Sequence, residues 1–546
     1  MNRGAGEHDR RGVPAPASGW RHGIWPLPAL SGLLLVFAYF PFGLLIPNFV
    51  AFLPLLYWLD CNPSAPAGRR LRAGVVFGLT VNLIILHWMY AMLEVSWMAA
   101  TLYFFLVAVL AVSAMLAVAL LGWVRRRTRW SFALLLPACW LPLEWARTWG
   151  DLRLTADHMG HTLAGYPFLI QFADLVGPYG VGAFMLVANG LLYEAWRGWA
   201  AARWRRPLAA LATMLAAVLS YDVWAWTHPH EPDEHLRVAY IQPNIPLAVK
   251  DDLATADAQW EILARLTREA AAKDPDLIVW PESAYPRPLY HWLEQPATFV
   301  VPDLQRLALE TGVTILTGIE YCRVRTTEDY ELYNAAVVAH PDGSLDPTWT
   351  AKVYLVPFTE GLPFESILGF VLRDLPGELA WMSGGFEPGP EATLLPVGGR
   401  SVGVMVCYED FFPDLGRKMK NDGADFQVII TNDAWFGRTV FQAYQANTVR
   451  MRAIENRSSY VRAANTGISG FVDPSGRYHG WSELFVEAVD VRDIPVTSVR
   501  TLYDRTGDVV AWVAIVGLAI TIAAAWAVAR DEGTEMAAAP ADRGAK

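Results

Sequence analysis

Three side chains of different chemical type stand out in the second half of the chain: Glu282, Lys352 and Cys407. A carboxylate can accept a proton, a fixed ammonium can stabilise an oxyanion, and a thiolate can attack a carbonyl carbon. Together these groups would suffice for acyl transfer through a thioester. Their spacing alone does not establish this, because a loop acid, a snorkelling lysine and a buried thiol are also common structural residues.

Two of these residues follow apolar runs that predict buried strands. Cys407 comes directly after Val402–Val406, and Glu282 comes almost directly after Leu277–Trp280. In α/β folds, catalytic groups are usually displayed at the carboxyl ends of strands. A carboxylate beside Trp280 and Pro281 would also have a raised pKa, which suits a general base.

Lys352 lies in a largely apolar segment that ends at Glu360, an acid that could hold the lysine or shape the pocket.

Other catalytic classes have little support in the sequence. The sequence contains no G-x-S-x-G motif, and its cysteines and histidines show no spacing typical of a metal site. We therefore expect no metal and no cofactor.

The composition predicts a membrane protein with a water-soluble part. The chain has 546 residues, 53% of them hydrophobic, with 24 Trp and a mean hydropathy of +0.24. Its net charge of -10 gives no support for nucleic-acid binding. We predict eight membrane spans, centred near 28–43, 44–59, 73–94, 97–124, 130–149, 168–196, 208–226 and 509–528.

Arginines concentrate in alternate loops between these spans, which places those loops in the cytoplasm by the positive-inside rule. They are Arg3, Arg10, Arg11 and Arg21, then Arg69, Arg70 and Arg72, then Arg125, Arg126, Arg127 and Arg129, then Arg197, Arg203, Arg205 and Arg206. The predicted domains are a disordered cytoplasmic N-terminus (1–25), a seven-helix membrane bundle (26–230), an extracytoplasmic catalytic domain (231–507), an eighth span (508–530) and a cytoplasmic tail (531–546).

Strands alternate with helices in the soluble segment, which predicts an α/β domain large enough to bury its own core. The predicted strands are Arg237–Gln242, Leu277–Trp280, Val313–Ile319, Leu332–Ala339, Val402–Val406, Phe426–Ile430 and Ser459–Ala463, and the predicted helices are Ala254–Ala272 and Thr439–Asn456.

Three motifs in this domain resemble those of the carbon–nitrogen hydrolase (nitrilase) superfamily. They are Trp280-Pro281-Glu282, the Lys352 segment and Val406-Cys407-Tyr408-Glu409. With the flanking spans, residues 28–530 resemble the apolipoprotein N-acyltransferase family, and the stretches 241–246, 355–358, 431–437 and 452–455 add to that resemblance. It implies a nitrilase-like α-β-β-α sandwich inserted between transmembrane helices of a bacterial inner-membrane protein, with both termini cytoplasmic and the domain on the periplasmic side.

The resemblance also implies a ping-pong reaction and its partners. Cys407 would take an acyl chain from a membrane phospholipid as a thioester and pass it to the α-amino group of the S-diacylglyceryl cysteine of an apolipoprotein. Glu282 would be the general base, and Lys352, with a backbone N–H near Tyr408, would stabilise the oxyanion. Glu360, Tyr408, Glu409 and Trp435 would support the site, and we expect a monomer.

Water must be kept from such a thioester, and Trp435, Phe436 and the apolar segment Leu362–Met382 are candidates for a cover that excludes it.

Three positions depart from the family pattern. Gln445 stands in place of the histidine of a Gln-His pair, Asp251 in place of a tryptophan, and Thr359 in place of a glycine.

Two alternatives stay open at the level of the sequence. A membrane-tethered amidase or nitrilase would use the same residues and pass its acyl group to water. A transporter or a structural membrane protein would need ionisable residues along a path inside the spans. Glu94, Glu144, Asp174 and Glu194 are few and mostly near span ends, which disfavours transport.

Overall fold

The structure is a computed structural model that describes residues 23, 25–94, 98–361, 363–364 and 385–538. Nearly all of the predicted N-terminal segment 1–25 lies outside these ranges, as do most of the apolar segment 362–382 and the end of the predicted tail. The described residues form an apolar helical bundle and a domain with two β-sheets, and the domain lies in the chain between two long apolar helices, Arg205–Thr227 and Val509–Ala538.

Apolar helices make up the first part of the chain and return at its end. They are α1 (Pro26–Val36), α2 (Pro47–Val50), α3 (Leu53–Cys61), α4 (Ala67–Ile85), α5 (Met98–Thr128), α6 (Phe132–Ala146), α7 (Ala173–Gly198), α8 (Arg205–Thr227) and, after the domain, α15 (Val509–Ala538). In the described ranges, four helices are long and apolar enough to cross a membrane, namely those that cover Ala99–Thr128, Ala173–Ala201, Arg205–Thr227 and Val509–Arg530.

A fifth span results if α4 and the following 3-10 turn, which are bent by 51°, are counted together. The first and fifth predicted spans form helices of only 11 and 15 residues, α1 and α6. At 1.5 Å per residue these reach about 16 and 22 Å, short of a hydrocarbon core of about 30 Å. The second predicted span is divided into α2 and α3, and Pro47 and Pro54 lie in the first turns of these two helices, where proline is tolerated. The number of eight spans therefore stays a prediction.

The soluble domain contains two sheets. The first has seven strands in the order β13-β1-β2-β4-β5-β6 with β3 beside β4, and the second has six strands in the order β12-β11-β10-β9-β8-β7. The strands are β1 (Glu234–Gln242), β2 (Leu277–Val279), β3 (Leu289–Trp292), β4 (Thr314–Val324), β5 (Tyr330–Ala339), β6 (Thr350–Ala351), β7 (Leu395–Val397), β8 (Arg400–Val406), β9 (Phe426–Thr431), β10 (Tyr460–Ala464), β11 (Gly470–Val472), β12 (Tyr478–His479) and β13 (Ala488–Val496).

Alternate residues of the central strands face two different cores. On β8, Val404 and Val406 pack between the sheets, whereas Met405 faces the outer helices. On β1, Val238 packs between the sheets and Ile241 faces the helices on the other side. This alternation is the period of two that a strand buried on both faces must follow.

Helices cover both outer faces of the two sheets. They are α9 (Leu247–Lys250), α10 (Ala256–Ala271) and α11 (Pro302–Thr311) with the first sheet, and α12 (Pro413–Asp422), α13 (Phe441–Asn456) and α14 (Leu502–Thr506) with the second. The layers are therefore helix, sheet, sheet, helix, which is the sandwich that the resemblance implies.

One hydrophobic core joins the second sheet to the helical bundle. The cluster that contains Met405 and Ile429 of the sheet continues through Val449 and Ile454 of α13 to residues of α1, α3 and α5–α7, such as Met185. Helix α13 therefore has the sheet on one side and the bundle on the other, which fixes the position of the domain on the bundle.

Candidate active site

The backbone turns sharply at Cys407. Strand β8 ends at Val406, and a 3-10 turn, Cys407–Phe411, follows at once. Cys407 has a φ of +53°, a left-handed conformation that is uncommon for residues other than glycine. Strain of this kind persists only where the surrounding structure enforces it, and it concentrates at functional sites. The thiol lies at the carboxyl end of a central strand and is buried.

Glu282 lies beyond the end of β2 and is held by two donors. Asn334 Nδ2 donates to its Oε1 at 2.7 Å, and the Asn432 N–H donates to its Oε2 at 2.7 Å. Gly318 allows this arrangement, because a Cβ at that position would lie 2.5 Å from the Pro281 carbonyl oxygen. Burial raises the pKa of Glu282, and the nearby Glu360 raises it further while Lys352 opposes the shift.

Lys352 follows the short strand β6 and is almost completely buried. Its Nζ lies 2.7 Å from the Glu360 carboxylate and 3.8 Å from Glu282 Oε1. Burial by itself would lower the pKa of Lys352, but the neighbouring acidic groups, Glu360 foremost, outweigh that effect and raise it. The raised pKa favours the cationic form of the lysine.

Glu409 connects the lysine segment to the cysteine turn. Its Oε1 accepts hydrogen bonds from the N–H groups of Val353 and Tyr354, at 2.6 and 3.0 Å, and its Oε2 accepts one from Val406 at 2.7 Å. Burial raises its pKa to about 7. One carboxyl group thus joins the residues that flank Lys352 to the residue that precedes Cys407.

Tyr408 and Trp435 each lie close in the chain to a residue of the site. The Tyr408 hydroxyl donates to the Arg153 carbonyl oxygen at 2.7 Å, so its side chain points toward the loop between α6 and α7. Trp435 is half-buried in the 3-10 turn Asp433–Phe436, which directly follows the Asn432 that binds Glu282.

The charge pattern around the thiol favours a proton relay. Burial raises the pKa of Cys407 well above its usual range, the Glu282 carboxylate raises it further, and the Lys352 ammonium lowers it. The resting cysteine is therefore a neutral thiol at neutral pH, and its proton needs an acceptor before it can react. The Glu282 carboxylate has the chemistry to accept that proton, and the Lys352 ammonium has the charge to stabilise the anion that results.

Comparison with known proteins identifies the family. The protein-family model "Carbon-nitrogen hydrolase" matches residues 237–502, and the protein-family model "Apolipoprotein N-acyltransferase N-terminal domain" matches residues 31–191. An apolipoprotein N-acyltransferase from Geobacter metallireducens is 32% identical over 511 residues, which cover 92% of this chain and 95% of that protein. Another, from Methylococcus capsulatus, is 32% identical over 463 residues, 83% of this chain and 86% of that protein.

The chain belongs to the apolipoprotein N-acyltransferase family. The nitrilase-like fold of its soluble domain agrees with the two sheets and their helical layers. Among solved structures, an amidase of the nitrilase superfamily from Nesterenkonia is 18% identical, with a TM-score of 0.36 over 52% of this chain and 98% of that chain.

The sequence did not predict the contacts of several site residues. Asn334 and Asn432 hold Glu282, Gln445 binds the Cys407 carbonyl, Thr431 interacts with the Cys407 thiol, and Arg462 donates to Gln445. The sequence did contain a signal for Asn334, because it is a polar residue within an apolar strand, where a buried side chain without a hydrogen-bond partner would be costly. Arg462 within β10 is a polar residue in an apolar strand in the same way.

Two of the departures from the family pattern each stand next to a residue that contacts the region of the site. Asp251 is the exposed residue at which α9 ends, while its neighbour Lys250 is buried and donates from Nζ to the Ser283 carbonyl oxygen at 2.7 Å. Thr359 belongs to the turn that presents Glu360, and its N–H donates to the Val356 carbonyl oxygen at 3.2 Å.

Aromatic contacts join this site to the bundle. The Trp88 ring, in the 3-10 turn after α4, lies 4.1 Å from the Phe441 ring and 5.3 Å from the Phe436 ring, centroid to centroid. Phe105 of α5 lies 5.3 Å from Phe358 of the lysine loop. Two loops of the site therefore pack against the helical bundle.

Among the described residues, no group of three His, Cys, Asp or Glu side chains could hold a metal ion.

Proposed function

We propose that this protein transfers an acyl chain from a membrane phospholipid to the α-amino group of the S-diacylglyceryl cysteine at the N-terminus of apolipoproteins. The observation that carries the proposal is the left-handed turn at Cys407, buried with the charges of Glu282 and Lys352, in a chain of this family. Family membership supports the substrates, and the geometry supports the roles of the residues.

In the first half-reaction, Glu282 removes the thiol proton of Cys407 and the thiolate attacks an ester carbonyl of the phospholipid. Lys352 and a backbone N–H near Tyr408 stabilise the tetrahedral oxyanion. The C–O bond breaks, Glu282 returns the proton to the departing alkoxide, and a lysophospholipid leaves. Glu360, at 2.7 Å from Lys352, orients the ammonium group.

In the second half-reaction, the neutral amine of the acceptor attacks the thioester. Glu282 takes a proton from the attacking nitrogen, the C–S bond breaks, and the amide product leaves with the thiol restored. An α-amino group has an ordinary pKa of about 8 and is mostly protonated at neutral pH, so a base beside the thioester is needed. Ping-pong kinetics follow, because both substrates use one cysteine in turn.

Both substrates are anchored in lipid, which suits a domain held between apolar helices. We infer eight spans with both termini in the cytoplasm, a bundle at 26–230, a catalytic domain at 231–507 on the periplasmic face of a bacterial inner membrane, and an eighth span at 508–530. The arginine-rich loops support this orientation. One chain supplies all three catalytic groups, which supports a monomeric enzyme.

The test is intact mass spectrometry of the purified protein after incubation with a phospholipid. Wild type should gain one acyl chain, Cys407→Ala should gain none, and Cys322→Ala, which alters another buried cysteine of the domain, should behave as wild type. A diacylglyceryl-cysteine peptide should release the adduct faster than water does. Release by water at the same rate would instead indicate a hydrolase, and no adduct on folded wild type would overturn the proposal.

A further inference from the structure

The backbone carbonyl of Cys407 is held by a side chain from another element. Gln445 of α13 is fully buried, and its Nε2 donates to the Cys407 carbonyl oxygen at 3.1 Å. The same nitrogen lies 3.3 Å from Asp410 Oδ1, and the Gln445 Oε1 accepts a hydrogen bond from Arg462 at 3.0 Å. Both ends of the amide are therefore engaged.

These contacts continue back to the side chain of the same cysteine. Arg462 also pairs with Asp433, at 3.1 Å, and Asp433 Oδ1 accepts a hydrogen bond from the Thr431 hydroxyl at 2.7 Å. The Thr431 hydroxyl also interacts with the Cys407 thiol and lowers its pKa. A buried chain of polar groups thus begins at the carbonyl of Cys407 and ends at its sulfur.

A left-handed residue that is not glycine needs such restraint. Cys407 has a φ of +53°, and its carbonyl carbon and its Cβ are bonded to the same Cα, so a donor that holds the carbonyl restrains the strained backbone that carries the side chain. Such a donor therefore helps to hold the Cα from which the sulfur extends.

We infer that Gln445 is a positioning residue for the Cys407 thiol and that it acts through the Cys407 carbonyl. The inference deepens the proposed function and rests on it for the claim that the positioned thiol carries the acyl chain. A neutral amide suits the task, because it donates to the carbonyl and accepts from Arg462 without adding a charge beside the thiolate.

The experiment compares wild type with Gln445→Met, which removes both hydrogen-bonding ends at similar length, and with Gln445→Glu, which keeps an acceptor for Arg462. The matched control is Gln427→Met. Gln427 is an equally buried glutamine on β9 that donates to the Gly416 carbonyl oxygen at 3.2 Å. Each protein is assayed for phospholipid acylation of Cys407, for the pH dependence of Cys407 alkylation by iodoacetamide, and for thermal unfolding.

We expect both Gln445 variants to acylate about tenfold more slowly, as the loss of one hydrogen bond to the reacting residue predicts. Their alkylation midpoint should also move to higher pH, because the sulfur loses its alignment with Lys352 and Thr431. Gln427→Met should keep the wild-type acylation rate and midpoint even where its unfolding temperature falls.

Wild-type acylation and an unshifted midpoint in a folded Gln445 variant would overturn the inference, as would equal changes in Gln427→Met. If Gln445→Met does not fold, Gln445→Glu decides in the same way. If wild type gains no acyl chain but the alkylation midpoint still depends on Gln445, the proposed function fails while the positioning role stands.

Discussion

The Lys352 ammonium lies 2.7 Å from the Glu360 carboxylate and 3.8 Å from that of Glu282. The lysine therefore has one close partner and one more distant one. Because the close partner neutralises it, Glu282 is left with two neutral donors, Asn334 and the Asn432 N–H, and with a raised pKa. This asymmetry keeps the pKa of Glu282 raised beside a cation that would otherwise pair with it, as its proposed role of general base requires.

Removal of the close partner should therefore impair the base. In Glu360→Gln, Lys352 loses its nearest carboxylate and should pair with Glu282. We expect single-turnover acylation to slow by about tenfold to a hundredfold, at most the loss expected from removal of a direct oxyanion donor. The control is Glu331→Gln, which should leave the rate unchanged. Glu331 lies on β5 of the first sheet and pairs with Arg323 of the neighbouring strand β4 at 3.1 Å. An unchanged rate in Glu360→Gln would contradict this role.

The reactivity of the thiol should depend on pH in opposite directions in two variants. The Glu282 carboxylate raises the pKa of Cys407, and Lys352 lowers it. In Glu282→Gln the midpoint of Cys407 alkylation by iodoacetamide should therefore move to lower pH, and in Lys352→Met to higher pH. Both variants should nevertheless fail to acylate with phospholipid. Shifts of the same sign in both variants would show that the charges do not act on the sulfur as described.

Glu409→Gln should loosen the connection between the lysine segment and the cysteine turn. Three backbone N–H groups donate to the two oxygens of this carboxyl group. A glutamine has only one acceptor oxygen, so its NH₂ group would lie against at least one of these N–H donors. We expect a loss of about 1–3 kcal/mol in the free energy of unfolding and slower acylation. Asp346→Asn, on a turn of the same domain, is the control. Wild-type stability in Glu409→Gln would exclude the connecting role.

The same carboxyl predicts how stability changes with pH. Its pKa is about 7 in the folded protein against an ordinary 4.5, so between these values the folded state holds a proton that the unfolded state releases. Its contribution to stability is thus full below about pH 4.5 and is lost as pH rises through about 7. The gap in apparent melting temperature between wild type and Glu409→Gln should narrow over that window. A constant gap would contradict the shifted pKa.

The contact between domain and bundle includes a buried ion pair whose loss should destabilise the whole protein. Arg457, at the C-terminal end of α13, donates to Asp174 of α7 at 2.6 Å and to the Gln171 side chain at 2.7 Å. Arg457→Leu leaves Asp174 buried without its cation, which costs about 3–5 kcal/mol. Asp174→Asn in the same chain should recover part of the loss in a thermal-unfolding assay. Arg268→Leu, from an exposed pair with Glu310, should change little.

Local patterns predicted the elements that carry the site. The apolar run before Cys407 forms β8, which extends to Arg400, and the run before Glu282 forms β2, which ends at Val279. Strand β13, Ala488–Val496, was missed although apolar and polar residues alternate along part of it. It pairs with β1 at the edge of the sheet, and a single sequence gave no reason to seek a partner so distant in the chain.

The contacts around the catalytic groups were less accessible from the sequence. Gln445 lies far from Cys407 along the chain, and no spacing rule joins a helix residue to the carbonyl of a strand end on a neighbouring element. The number of membrane spans stays a prediction, because hydropathy counts apolar residues whereas prolines such as Pro47 and Pro54, at the starts of α2 and α3, divide an apolar run into separate helices. Composition therefore identified the bundle but not the lengths of its helices.

The hydrophobic core shared by the sheet, α13 and the bundle has a practical consequence. A fragment containing only residues 231–507 would expose the outer side of α13 and leave the Arg457 guanidinium without Asp174. We expect such a fragment to aggregate or to lose the geometry of its thiol, so that deletion of the apolar helices should not yield an active water-soluble domain. Crystallisation, inhibitor screening and engineering of this chain should therefore start from the whole polypeptide in detergent or lipid.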